Sequence, residues 1–381
     1  MNFYNPPIYL DFNATTPVDP EVAEAMWPYI NTHFGNPSSS YELGQYSKKA
    51  IEKARDQIKE AFHARDAQVV FTSGGSEANN LAIKGMVHAL REKGNHIIIS
   101  SVEHPAITAP VRFLEKNGYE VSVASVDENG IVNPKTVSNL IKPNTILVSI
   151  MLANNEVGSV QQVAQIAALA RANGILIHTD AAQAFGKIPV YFAELRVDMM
   201  SIAGHKFYAP KGVGALILKK GLKPEPLIHG AGHENGLRAG TENTPYLVGL
   251  GKAAVLASES LSEYKQRVIK LRDQLHEMIL KGYPGAILNG HPEKRLPNTL
   301  NISFPGIDAA KLMDAIQDRV ACSTGSACHS GTAKPSEVLV NMGRSHELAT
   351  SALRLSLGFH TTEAEITQAA GYILSKINKS K

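Results

Sequence analysis

From Val69 to Leu218, short apolar runs alternate with amphipathic stretches, and this alternation constrains the fold more than any other feature of the chain. The apolar runs read as strands at Val69–Thr72, His96–Ser101, Glu120–Ala124, Thr145–Ile150, Ile175–Thr179, Met199–Ile202 and Val213–Leu218. Between them, Ala78–Leu90, Ala106–Asn117 and Val163–Ala172 carry helical spacing. Strands that are apolar throughout, joined by helices, call for a mostly parallel sheet covered on both faces, an α/β architecture. Such sheets collect ligands at the carboxyl ends of their strands. His104, Asn154-Asn155-Glu156 and Asp180 each follow a strand, so one shared site is expected there. Downstream, Leu247–Leu280 reads as a nearly continuous helix, Asn298–Ser303 as a strand of a second unit, and Thr361–Ile377 as a closing helix. The second domain is expected to begin near residue 260, with the first fifteen residues packed against it.

The 381 residues accommodate one large and one smaller domain. The formal charge is +3, from 38 basic and 35 acidic residues, so no general attraction to nucleic acid or to an anionic membrane is expected. No run approaches the ~18 apolar residues of a membrane span, and Met1-Asn2-Phe3-Tyr4-Asn5-Pro6-Pro7 lacks the regions of a signal peptide. Two cysteines, Cys322 and Cys328, are too few for a disulfide framework or a four-thiolate metal site. A reducing cytoplasm is the expected compartment.

Asp180 ends the run Ile175 to Thr179, and Lys206 closes Ser201-Ile202-Ala203-Gly204-His205-Lys206. Pyridoxal phosphate (PLP) needs a lysine for its Schiff base and a carboxylate to keep the pyridine nitrogen protonated. A carboxylate at one strand end and a lysine just after the next strand can meet on one ring. An exposed lysine and a helix-capping Asp would look the same. Thr72-Ser73-Gly74-Gly75-Ser76-Glu77-Ala78 follows a strand and opens a helix, where glycines and free N–H groups receive an anion. His104, in Glu103-His104-Pro105, is placed to stack on a ring and move protons, or to serve structure alone. The glycine-dense run Gly230 to Thr241 is a surface loop or a means of bringing a hydroxyl to a phosphate. Its glycines discount His229 and His233 as a helical metal pair. Cys328 stands in small-residue surroundings beside His329, where a thiolate nucleophile and an ordinary loop cysteine both remain open, whereas Cys322, after Val320-Ala321, fits an inert thiol. Arg354, inside the apolar segment Ala352–Gly358, needs an anion. A substrate carboxylate and a structural Asp or Glu serve equally.

Taken together, these segments resemble the cysteine desulfurases, PLP enzymes of the class V aminotransferase-like family. The resemblance runs from Tyr9-Leu10-Asp11-Phe12-Asn13-Ala14-Thr15-Thr16-Pro17 and Gly35-Asn36-Pro37-Ser38-Ser39, through Thr72–Glu77, Glu103-His104, Asn155–Gly158, His178–Gln183, Gly204-His205-Lys206 and Arg238–Thr241, to Gly325–Cys328 and Arg354. It implies the PLP-dependent transferase fold, aspartate aminotransferase-like. The large PLP-binding domain would span residues 16–260 and hold a mostly parallel seven-stranded sheet. A smaller α/β domain, from residues 1–15 and 261–381, would carry the catalytic cysteine loop. Lys206 would hold PLP and act as base at the substrate Cα; Asp180 would meet the pyridine nitrogen, Gln183 the phenolic oxygen and His104 the ring face. Gly75, Ser76 and His205 would bind the phosphate. Thr241 would reach the phosphate in the neighbouring subunit, implying a homodimer. Asn155 and Arg354 would hold the carboxylate of L-cysteine. Cys328 would take the sulfur as a persulfide and release alanine. The stretch from Cys328 to Leu339 resembles the longer loop that serves iron–sulfur scaffold proteins.

Ala203 stands where many members have a phosphate-binding serine, and Ala231 where a glycine is common. Cys328-His329-Ser330 and Gly240–Pro245 also resemble selenocysteine lyases, leaving sulfur and selenium both open. An aminotransferase and a catalytically silent scaffold are the remaining readings.

Overall fold

The computed structural model describes residues 6–324 and 335–379. Its largest sheet comprises β2 (Ala67–Thr72), β3 (His96–Ser100), β4 (Glu120–Ala124), β5 (Thr145–Ser149), β6 (Leu176–Asp180), β7 (Met199–Ala203) and β8 (Gly214–Lys219), preceded in the chain by β1 (Ile8–Tyr9). The order across the sheet is β2-β8-β7-β6-β5-β3-β4, and β8 alone runs antiparallel to its neighbours. All seven expected strands are present, their ends displaced by two residues or fewer. Every residue of β3, β5 and β7 is buried, as continuous apolar strands require when helices cover both faces. The edge strand β4 instead leaves Glu120 and Val123 exposed.

Among the buried polar residues of this sheet, His178 bridges three strands. His178 Nδ1 meets Ser149 Oγ at 2.8 Å and its Nε2 meets Ser201 Oγ at 2.9 Å. Burial drives its pKa down to about 3, so a neutral imidazole ties β5, β6 and β7 together just below their carboxyl ends.

A three-stranded antiparallel sheet forms from β9 (Ile287–Asn289), β10 (Thr299–Ser303) and β12 (Ala352–Ser356), with β10 in the middle. Strand β11 (Val320–Ala321) pairs in parallel with β1. Leu10 accordingly packs in the core made by Val268, Leu275, Ile302, Val320, Leu355 and Ile373, so the start of the chain joins its last third. A further cluster links Val102, Met151 and Val157 to Val338, Leu339 and Ala352, packing the segments after β3 and β5 against the last part of the chain.

Two local expectations change. The helix expected over Leu247–Leu280 is two helices, Thr244–Glu259 and Leu261–Gly282. They break at Ser260, whose hydroxyl donates to the Leu256 carbonyl at 2.7 Å, a back-bond that bends helices. The helix after β2 begins at Gly75 and passes through a π turn, Leu81–Gly85. Among the described residues no helix is long and apolar enough to cross a membrane.

Candidate active site

At the carboxyl ends of the parallel strands lies a cavity of about 700 Å³. Gly75, Ser76, His104, Asn155, Asp180, Gln183, His205, Lys206 and Arg354 all line it. Asp180 is the last residue of β6, and in register it faces Ser201 of β7. The chain leaves β7 at Ala203 and turns through Gly204–Lys206, bringing the lysine back over the neighbouring strand end.

Asp180 is held on both oxygens, accepting from Asn79 Nδ2 at 2.7 Å and from the Ala182 N–H at 2.9 Å. Lys206 Nζ donates to the carbonyls of Asn13 and Ala14, each at 2.7 Å. Burial, and then the Arg354 guanidinium, lower its pKa to about 8. His104 caps the helix Pro105–Lys116, its Nδ1 accepting from Ala106 N–H at 3.1 Å. That bond leaves Nε2 to carry the proton of the neutral ring. Burial lowers the His104 pKa, against the pull of Asp180. His205 Nδ1 meets Thr15 Oγ1 at 3.1 Å, and burial followed by Lys206 takes its pKa to about 4.

The anion loop has room for a ligand because of its glycines. Gly74 has φ +149, a conformation that L side chains rarely adopt. A Cβ on Gly75 would lie 3.0 Å from that of Ala203, the residue that replaces the family's common serine. The loop is braced by Glu77, which accepts from Ser73 N–H at 2.8 Å and from Arg238 Nε at 2.9 Å. Burial raises the Glu77 pKa, yet the bonds from Arg238 and Ser73 bring it below its ordinary value. Arg238 belongs to the glycine-dense run, which is therefore tied down rather than a free surface loop. Glu234 in the same run has φ +48, ion-pairs with Arg55 at 2.8 Å and accepts from Phe71 N–H at 2.9 Å.

Arg354 projects from the middle of β12. It pairs with Asp11 at 2.7 Å and donates to the Asn155 carbonyl at 3.2 Å, while its Nε is buried with no partner. Of the two anions expected for it, the chain itself supplies an aspartate, and a donor remains over.

These groups fit PLP: an amine of lowered pKa for its aldehyde, a fixed carboxylate for its pyridine nitrogen, and a glycine-lined helix start for its phosphate. Asn79 Oδ1, buried and unpartnered beside Asp180, adds an unsatisfied polar atom to the same wall. The model of the class-V aminotransferases matches residues 8–368. The chain belongs to that family. A cysteine desulfurase IscS of Methanosarcina thermophila is 45% identical over 376 residues, 98% of this chain and 93% of that protein. A solved NifS-like protein superposes with a TM-score of 0.91 at 34% identity, covering 97% of this chain and 99% of the other. The structure of SspA in complex with cysteine matches at a TM-score of 0.81 and 36% identity, covering 92% and 98%.

Two expected residues stand apart from this class-V cavity. Thr241 is exposed and does not line it. Cys328 lies outside the described residues. Cys322 is in place as an unreactive thiol, packed against the second core with its pKa pushed up to about 12 by burial, then by Asp11. Sequence reasoning missed Asn79 and the role of Asn13, whose side chain reaches Thr299 Oγ1 at 2.9 Å and the Asn155 carbonyl at 3.1 Å. No residue pattern announces either, because their partners lie more than a hundred positions away.

Proposed function

We propose that this chain is a PLP-dependent cysteine desulfurase that converts L-cysteine to L-alanine and passes the sulfur on as a persulfide of Cys328. The observation that carries this reading is the convergence of Lys206, Asp180 and Arg354 on one cavity. When bound, PLP supplies an electron sink for the substrate amino acid.

The residues divide the remaining tasks. Gly75, Ser76 and His205 receive the phosphate; Asp180, fixed by Asn79 and Ala182, faces the pyridine nitrogen; the His104 imidazole covers the ring. Lys206, its pKa lowered to about 8, gives up its proton more readily than an ordinary lysine and so suits a base at the substrate Cα. Arg354 and Asn155, both lining the cavity, hold the substrate carboxylate. The Cys328 thiolate attacks the substrate sulfur, an S–S bond forms as the Cβ–S bond breaks, and the carbon skeleton takes a proton to leave as alanine.

The molecule acts as a cytoplasmic homodimer with a sulfur-acceptor protein such as an iron–sulfur scaffold. Thr241 completes the neighbouring subunit's phosphate site. Trp27 and Phe34, 60% and 75% exposed, with exposed Ile30, Tyr41 and Leu43, form an apolar surface that suits such a dimer. Residues 16–260 form the large domain, and residues 1–15 with 261–381 the small one, in keeping with the packing of Leu10 against Val320 and Leu355.

The deciding experiment compares wild type with Cys328→Ser, following alanine, sulfide and cofactor absorbance on addition of L-cysteine. The variant is expected to keep its PLP absorbance and lose sulfide release, since a hydroxyl forms no persulfide. Full sulfide release by the variant would remove Cys328 from the reaction, and a wild type inert towards cysteine would end the desulfurase reading.

A further inference from the structure

Lys187 is a buried amine that the mechanism above leaves without a task. It is 3% exposed and lies four residues after Gln183, beyond the end of β6. Its Nζ donates to Gln183 Oε1 at 2.7 Å and lies 3.3 Å from Asn13 Oδ1. No carboxylate offsets it. The charged groups that bear on it are Lys206 and Arg354, and burial, followed by these two cations, holds its pKa well below that of an ordinary lysine. A buried lysine with cationic neighbours is costly to retain, so the contact it makes calls for an explanation.

That contact settles which face of an amide the cavity sees. Gln183 is 6% exposed and lines the cavity. The oxygen and nitrogen of its amide have nearly the same shape, and either can point either way. The amide offers two acceptor sites and two donors. Gln183 Oε1 is occupied by Lys187, and one Nε2 hydrogen goes to the Asn13 carbonyl at 2.8 Å. One N–H is left over on the side of the cavity. With a flipped amide, the nitrogen would face the Lys187 amine, which would have to accept where it now donates, and the oxygen would face the Asn13 carbonyl, acceptor against acceptor, a lesser mismatch and a full one. Asn13 is itself fixed, by Asn298 Nδ2 at 3.0 Å and by the Lys206 amine on its carbonyl, so it cannot turn to relieve the second mismatch.

We propose that Lys187 is a positioning residue that locks the Gln183 amide with its N–H towards the cofactor, so that the phenolic oxygen of PLP always meets a donor. The inference rests on PLP occupying the cavity. A donor on that oxygen stabilises its anionic form and makes the neighbouring imine nitrogen less basic. Without Lys187 only the Asn13 carbonyl restrains the amide, which then turns its own oxygen inward more often, and the imine holds its proton to higher pH.

The test is a pH titration of cofactor absorbance in the dimer-sized, PLP-loaded enzyme, comparing wild type, Lys187→Met, Gln183→Ala and the double variant. Lys187→Met is expected to raise the titration midpoint by roughly one pH unit and to weaken PLP binding about fivefold, the scale of one hydrogen bond. In the Gln183→Ala background the same substitution should move neither quantity, because its route is gone. A midpoint unchanged in Lys187→Met, or a shift that persists without Gln183, overturns the proposal, the latter by showing that the amine acts through space. Should Lys187→Met not fold, Lys187→Gln, polar and slightly shorter, is expected to shift the midpoint upward by a smaller amount; no upward shift there also overturns it. A wild type with no cofactor absorbance at all overturns both this inference and the reading beneath it.

Discussion

In the seven-stranded sheet the cavity groups stand at the strand ends or just beyond them, whereas in the three-stranded sheet Arg354 stands in mid-strand, opposite Asn301. The first arrangement needs little from the rest of the chain. Strand ends leave free backbone and turns, so Asp180, His104 and Lys206 reach one place by topology. The second depends on distant help. Arg354 is held in position by Asp11, 343 residues away in sequence, and by the Asn155 carbonyl. The difference predicts that substitutions on the large sheet abolish chemistry and that substitutions around Arg354 alter substrate binding.

The largest effect is expected at Lys206. Lys206→Ala should lose the absorbance near ~400–430 nm that a PLP imine gives and reduce turnover by about 10⁴-fold, the upper range for a removed acid–base group. Retention of that band would break the comparison at its strongest point. Arg354→Lys comes next. Losing the forked guanidinium should raise KM for L-cysteine by about 100-fold with kcat within a few-fold, read from steady-state alanine formation. An equal fall in kcat would place Arg354 among the chemical groups after all. Asp11→Ala should raise KM by about 10-fold through a misplaced Arg354, and the Asp11→Ala/Arg354→Lys double variant should be no worse than Arg354→Lys alone.

The smallest effect concerns stability. Glu103 accepts from Ser100 Oγ at 2.5 Å and from Met151 N–H at 2.9 Å, and burial pushes its pKa up to about 8. Between the ordinary glutamate range and that value, the folded chain holds a proton that the unfolded chain releases. Stability contributed by this group is therefore full at low pH and lost as pH rises through about 8. Glu103→Gln should flatten the fall in Tm between roughly pH 5 and 8; a wild-type Tm that climbs across that window would contradict the sign.

The same contrast explains what could be read in advance. The strands were legible because β3, β5 and β7 are buried along their whole length and so carry few polar residues, His96, Ser100, Thr145, Ser149 and Ser201, each of them paired. Asp180 and Lys206 were legible because one closes and the other follows an apolar strand. Arg354 was legible as a residue in need of an anion, but nothing near it in sequence named Asp11. Asn79 looked like any helix residue, and Lys187 like any lysine after a turn, since burial and a partner four residues away are facts of the fold. The break at Ser260 was missed because a serine within helical spacing carries no mark of its back-bond to Leu256.

Asn13 gives the site its place in time. Residue 13 meets Ser356 Oγ through its N–H at 2.9 Å, Asn298 and Thr299 through its side chain, and Lys206 and Gln183 through its carbonyl. These contacts span 170 to 343 positions, so each closes a long loop at an entropic cost. During synthesis the first turn of the chain waits for nearly the last strand before the lysine pocket has its roof. A chain stopped short of β12 lacks the Ser356 contact to Asn13 and so a finished pocket, which makes tight cofactor retention a measure of whether the polypeptide was completed.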